Sequence, residues 1–188
     1  MAVDLRPFRD YDEHDVINLY ALDEAAGVGI TAGHFVKHSI GWKNADATTA
    51  QGLANAMLGD VGQSYDNTVS QRYGVVARVG ICGSGDTALG MMLYDVKETD
   101  ENGEKLIFNP RKAAEMEVAL SGQAVPVVTR GIFLYSGSVL VSDNPTLGAS
   151  LYSDNNGELT KTDGGGNIVG TALGLKDDNG HVLVRINL

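Results

Sequence analysis

Residues 168–180 read IVGTALGLKDDNG, and residues 88–103 read ALGMMLYDVKETDENG. In each stretch a glycine stands two residues after an apolar position, an apolar run follows, and an acidic tract ends in Asn-Gly. A lone Gly in an apolar strand pattern marks a bulge or a close approach of two backbones. Asn-Gly supplies the left-handed conformations that a tight hairpin needs. The two stretches therefore predict two similarly built sheet segments, such as the halves of one barrel. The spacing from the Gly to the Asn-Gly glycine is thirteen residues from Gly90 to Gly103 and ten from Gly170 to Gly180, so the repeat is not strict.

Outward from these stretches, short apolar runs alternate with turn signals. Residues 16–22, 34–40, 74–82, 115–120, 123–129, 131–135, 138–141, 149–152, 158–160 and 182–188 all read as strands, on β-branched content or period-two alternation. Asn109-Pro110 is a cap followed by proline at the first helical position, so a short helix is expected over Arg111 to Ala114. Residues 46–62 have loosely helical spacing, weakened by Gly52, and read as a short helix or an ordered loop. The loop Gly83-Ser84-Gly85-Asp86-Thr87 reads as a hairpin turn. Strands every 8–12 residues predict an all-β, mainly antiparallel fold: a β-barrel or sandwich with one or two short helices. Residues 1–15 are predicted to be an extended N-terminal arm, and residues 16–188 a β-barrel domain carrying an insertion around 43–70.

Composition narrows the function. The 188 residues include 24 glycines, well above the usual ~7%, with only 4 prolines, which fits glycines in turns and bulges. The formal net charge is −10, so neither a phosphate backbone nor an anionic membrane surface is an expected partner. The opening MAVDLRPFRDYDEHD has no apolar core segment, and no secretory signal is expected there. No stretch approaches the ~20 apolar residues of a membrane helix.

Reacting groups are scarce. A single cysteine, Cys82, excludes an intrachain disulfide, and its apolar surroundings read as a small buried side chain. Residues 83–87 lack both the Lys-Ser/Thr ending of a phosphate loop and the spacing of a nucleophile elbow. His34 and His38 lack the Glu of a helical zinc motif; in a strand they would lie roughly 13 Å apart, too far for one ion. The acidic run from Asp10 to Asp15 lacks the sixth-position Gly and closing Glu of a calcium loop. No catalytic residue, metal site or cofactor is expected, and the chain reads as a non-enzyme. Trp42, Tyr65, Tyr73 and Tyr152 read as core aromatics, with a sugar-binding shelf or an interface anchor as the other roles open to them.

The run SGQAVPVVTRGIF (121–133), the segment VGTALG (169–174) and the closing strand at 182–188 together resemble the small β-barrel capsid decoration (cement) proteins of tailed bacteriophages. The resemblance covers roughly residues 115–188 and, more loosely, 75–96. It implies a virion structural protein on the outer capsid surface that binds the major capsid protein across neighbouring subunits as a homotrimer. The expected partner-binding residues are Leu5, Arg6, Pro7, Phe8 and Arg9 of the arm, since Arg and Phe are common interface anchors. Other readings are a head-fibre or tail component, a carbohydrate-binding β module, or a β-fold hydrolase built on paired carboxylates.

Overall fold

A computed structural model of the chain describes residues 5–7, 15–23, 30–40, 68–70, 73–74, 78–120 and 123–188. The first strands are β1 (Leu5–Pro7), β2 (Val16–Ile17), β3 (Ala21–Leu22), β4 (Phe35–Ile40), β5 (Thr68–Ser70), β6 (Tyr73–Gly74), β7 (Arg78–Ile81), β8 (Gly90–Met92) and β9 (Asp95–Lys97). Helix α1 (Pro110–Glu115) precedes β10 (Val118–Leu120), β11 (Val127–Val128) and β12 (Arg130–Tyr135). Helix α2 (Ser138–Asp143) precedes β13 (Ser150–Ser153), β14 (Leu159–Thr160), β15 (Gly170–Ala172) and β16 (Val182–Asn187). Two six-stranded sheets run β2-β11-β8-β4-β7-β3 and β1-β12-β16-β15-β13-β14. All pairing is antiparallel among the described residues except β3–β7 and β9–β10. The fold is all-β, as the spacing of strands predicts, with two short α-helices among the described residues.

The repeated stretches lie in different sheets, but at the same place in each. Gly90 pairs with Val36 and Met91 with Phe35, while Gly170 pairs with Leu151 and Thr171 with Ser150. On the other side Met91 and Met92 face Val128 and Val127, as Thr171 and Ala172 face Arg185 and Val184. Hydrogen bonds outside the ladders repeat too. Leu89 N–H donates to Val36 O as Val169 N–H does to Leu151 O, and Gly33 N–H to Met92 O as Gly148 N–H does to Ala172 O. His34 N–H reaches Thr31 O as Ala149 N–H reaches Thr146 O. From Val79 to Leu93 the match is ungapped at an offset of 80 residues, and it brings together Gly85 and Gly165, both left-handed at φ 86° and 89°. The chain is thus a tandem of two units, residues 15–129 and 130–188. Each arranges five strands in one order: β2-β11-β8-β4-β7 in the first and β12-β16-β15-β13-β14 in the second.

The units stack front on back. Strand residues alternate between faces, so Val36, Val79, Met92, Val125 and Val127 share the front of unit 1, and Phe35, Met91 and Val128 share its back. The front residues form one core with Leu22, Ile30 and Ala119. The back residues join the front of unit 2, including Phe133, Tyr135, Leu151, Leu159, Ala172, Val184 and Ile186, in the larger core. The centre of sheet 1 is therefore covered on both sides, with every residue of β8 and β11 buried. Sheet 2 keeps an open back. Where unit 1 has Phe35, Met91 and Val128, unit 2 has Ser150, Thr171 and Arg185, polar side chains suited to the end of a stack.

One turn is used three times. In residues 100–104, 154–158 and 177–181 the sequence is Asp-x-Asn-Gly-x. The Asp Oδ1 accepts from the N–H groups two and four residues on, at 2.7–3.0 Å. The Gly is left-handed each time, at φ 81°, 79° and 81°. The carboxylate ties both ends of the turn to one oxygen.

Several expectations fail for tertiary reasons. Residues 138–141 form α2, not a strand, because the buried Glu158 accepts from Ser138 Oγ and Val139 N–H at 3.3 Å each and holds the helix start. Residues 83–87 are not a hairpin turn: they join β7 to β8, which β4 separates. The single strand expected over 16–22 breaks into β2 and β3 at opposite edges of sheet 1. Only Val118–Leu120 of the 115–120 strand forms, after Glu117 at φ 52°. The short helix or ordered loop expected over 46–62, with Trp42 and Tyr65, lies outside the described residues, as does most of the 43–70 insertion.

Candidate functional site

Of the five arm residues singled out in the sequence, Leu5, Arg6 and Pro7 form β1, and Phe8 and Arg9 lie outside the described residues. Leu5 pairs with Tyr135, Arg6 with Leu134 and Pro7 with Phe133 at the edge of sheet 2. An edge strand tolerates proline because one side of it has no ladder partner. Residues 5–7 are thus extended and laid along unit 2, and residues 1–4 and 8–14 of the expected arm lie outside the described residues. Of the acidic run that resembles a calcium loop, only Asp15 is described; it is buried, and its carbonyl accepts from Thr129 N–H at 2.8 Å.

Where the two units meet, a groove of about 600 Å³ opens between Lys37, His38, Thr87 and Leu89 of unit 1 and Asn167, Ile168 and Asn187 of unit 2. The crossover loops of both units build it. Asn167 Oδ1 accepts from Ala88 N–H at 2.8 Å, and Asn155 Oδ1 accepts from Ser84 N–H at 3.3 Å. Gly164 and Gly166 leave room for this contact: a Cβ at Gly166 would stand 2.7 Å from Asp86 O. Lys37 Nζ donates to Asp86 Oδ2 at 2.6 Å. That bond and the Gly83 N–H hold the Asp86 carboxyl below the usual aspartate range. The ammonium in the groove is therefore paired, and the wall offers amides, a hydroxyl, the His38 imidazole and apolar surface.

The other candidates for chemistry separate in space. Cys82 is fully buried, and burial pushes its thiol above the ordinary value; it is the small core side chain its context predicts. His34 is buried with Nδ1 within 3.0 Å of Thr31 Oγ1, whereas His38 is exposed and meets Tyr20 edge-on at 5.1 Å. Among the described residues, no group of three His, Cys, Asp or Glu side chains could hold a metal ion.

The sequence reading missed a set of exposed apolar side chains: Ile107 and Phe108 on a single 3-10 turn, and Leu147 and Leu175 on loops. No local pattern marks them, because Ile-Phe and isolated Leu are as common in cores as on rims. No family model, curated protein or solved structure matches the chain.

Proposed function

We propose that this protein is a virion structural protein that decorates and stabilises a capsid shell, sitting on its outer surface and binding the major capsid protein across neighbouring subunits. The observation that carries the reading is the position of the bare apolar side chains. The larger core is filled by front-on-back stacking and the smaller by Leu22, Ile30 and Ala119 on the front of unit 1, yet Phe108, Leu147 and Leu175 face water outside both. Side chains that add nothing to the core but cost solubility are accounted for by a partner surface. A standard interface buries about 1,600 Å² in total, within reach of a body this size. The β1 strand adds a second contact, an arm on a sheet edge that raises avidity without enlarging the body.

The test is direct. Purified protein added to intact phage heads is expected to bind to a fixed stoichiometry and to raise their rupture temperature. Heads that take up none, under conditions where they bind their own surface proteins, remove the proposal. A carbohydrate-binding role is the second reading, favoured by the amide-lined groove at Asn167 and Asn187. Sugar binding on a glycan array, lost in Asn167→Ala, would select it.

A further inference from the structure

We infer that Asn102 and Asn179 are sites of spontaneous deamidation in the folded protein, and that Asn156, set in the same turn chemistry, is locked against it. Asn-Gly is the pairing in which this reaction is least hindered, because glycine has no Cβ to shield its backbone nitrogen. That nitrogen, having given its proton to water, attacks the asparagine Cγ. An N–C bond forms, the Cγ–Nδ2 bond breaks, and the nitrogen released leaves as ammonia with the proton. Water then opens the succinimide at either carbonyl and leaves aspartate or isoaspartate. Nothing is oxidised or reduced, and water is the only co-reactant.

The chain has three Asn-Gly pairs, at 102, 156 and 179, each inside an Asp-x-Asn-Gly turn. Their local bonds match. The Gly N–H donates to the Asp carbonyl at 3.1–3.2 Å, and the Asp N–H donates to the carbonyl of the fifth residue at 2.9 Å. The Asn N–H donates to the Asp Oδ1 at 2.8–3.0 Å. The attacking nitrogen is thus occupied in all three, and reaction waits for the turn to open. All three asparagines are exposed, so what separates the sites is what holds each turn shut from outside.

Turn 154–158 is held firmly. Gly157 is buried, its carbonyl accepts from Phe35 N–H at 2.7 Å, and a Cβ there would stand 2.9 Å from Phe35 O. Asn155 Oδ1 accepts from Ser84 N–H, and the buried Glu158 carboxyl holds the start of α2. Opening this turn breaks bonds to both units. The other two are loosely set. Nothing lies within 4 Å of a Cβ added at Gly103, and at Gly180 the nearest atom is Val141 Cγ1 at 4.0 Å. Lys112 Nζ braces Asp100 Oδ2, at the aspartate end of its turn and not at the Asn-Gly bond. Exposed turns with few outside contacts open at little cost. Isoaspartate routes the backbone through the side-chain carbon, lengthening a turn whose N–H groups share one carboxylate oxygen. At 179 the loosened turn is the link from β15 into β16.

Peptide mapping by mass spectrometry after incubation at mildly alkaline pH tests this, on native full-length protein and on the same protein in urea. Each native rate is divided by the rate of the same site in urea, where only local sequence acts. Asn102 and Asn179 are expected to convert in the native protein. Asn156 is expected to be slowed about tenfold more than either, since the Phe35 and Ser84 bonds are each worth about fivefold. The double variant Asn102→Gln, Asn179→Gln is expected to keep a single band on isoelectric focusing while native protein gains acidic forms. Asn156 slowed no more than the other two, or native protein in which Asn102 or Asn179 stays intact while the unfolded chain converts, would overturn the inference. The measurement uses the protein alone, and its outcome does not bear on the capsid reading.

Discussion

Gly170→Ala tests the structural meaning of the repeated glycine. A Cβ at position 170 would lie 2.4 Å from the Arg185 carbonyl oxygen and 3.3 Å from Ile186 Cδ1. At Gly90 it would lie 2.5 Å from Val127 Cγ1 and 2.7 Å from the Val128 carbonyl. Ordinary carbon contacts begin near ~3.5 Å, so the strands must part by about 1 Å. In each case the obstacle includes backbone of the adjoining strand, which no rotamer change relieves. Overpacking of this kind costs about 1–3 kcal/mol, and a strained ladder bond adds about 1 kcal/mol. Each substitution is therefore expected to destabilise by roughly 2–4 kcal/mol, lowering the melting temperature by about 4–16 °C in a chain of this length. Gly174→Ala is the control: nothing lies within 4 Å of the added methyl, so the change stays within about 0.5 kcal/mol. Urea unfolding with an unchanged slope reads the differences. Gly170→Ala unfolding at the same urea concentration as Gly174→Ala would refute the close-approach account of both stretches.

Tyr135→Phe should cost about 1–3 kcal/mol, because the buried phenol oxygen accepts from Leu159 N–H at 3.0 Å and phenylalanine leaves that donor unpaired; thermal melting of the pair of proteins checks it. Acidification should destabilise the fold. Asp100 is held below the usual aspartate value first by Lys112, Asp86 first by Lys37, and Asp177 first by the His181 N–H. Groups with depressed folded pKa values contribute stability above the ordinary value near ~4 and lose it as pH falls through their folded values. Melting temperature should therefore fall below about pH 4, and Asp100→Asn should flatten that fall; an unchanged profile contradicts the assignment. Deleting residues 1–9 removes β1, and the protein is expected to stay folded because β12 retains six paired residues with β16. The same truncation should abolish binding to phage heads, and unimpaired binding by a folded truncation would rule out the arm as the contact.

Much of the architecture was legible because it is local. Alternation in 182–188 puts Val182, Val184 and Ile186 in the core and Arg185 in water, and that pattern needs no partner to be read. Asn109-Pro110 starts α1 as its chemistry dictates, with Asn109 Oδ1 accepting from Lys112 N–H. The Asp-x-Asn-Gly turns close over five residues through one carboxylate. The readings that failed depended on distant residues. Glu158 converts 138–141 into a helix from some twenty positions away. The groove was invisible for the same reason: it brings Lys37 and His38 together with Asn167 and Asn187 from the far end of the chain.

From the sequence alone came the β class, the turns and the two matched glycine-bearing strands, because side-chain periodicity and turn chemistry act over a few residues. Only the tertiary structure decided that the matched strands belong to two tandem units, and that unit 2 rests its front on the back of unit 1. The exchange of Phe35, Met91 and Val128 for Ser150, Thr171 and Arg185 acquires meaning only when register aligns them. Register is set by hydrogen bonds and packing between strands far apart in the chain, and a linear pattern carries no record of which strands will meet.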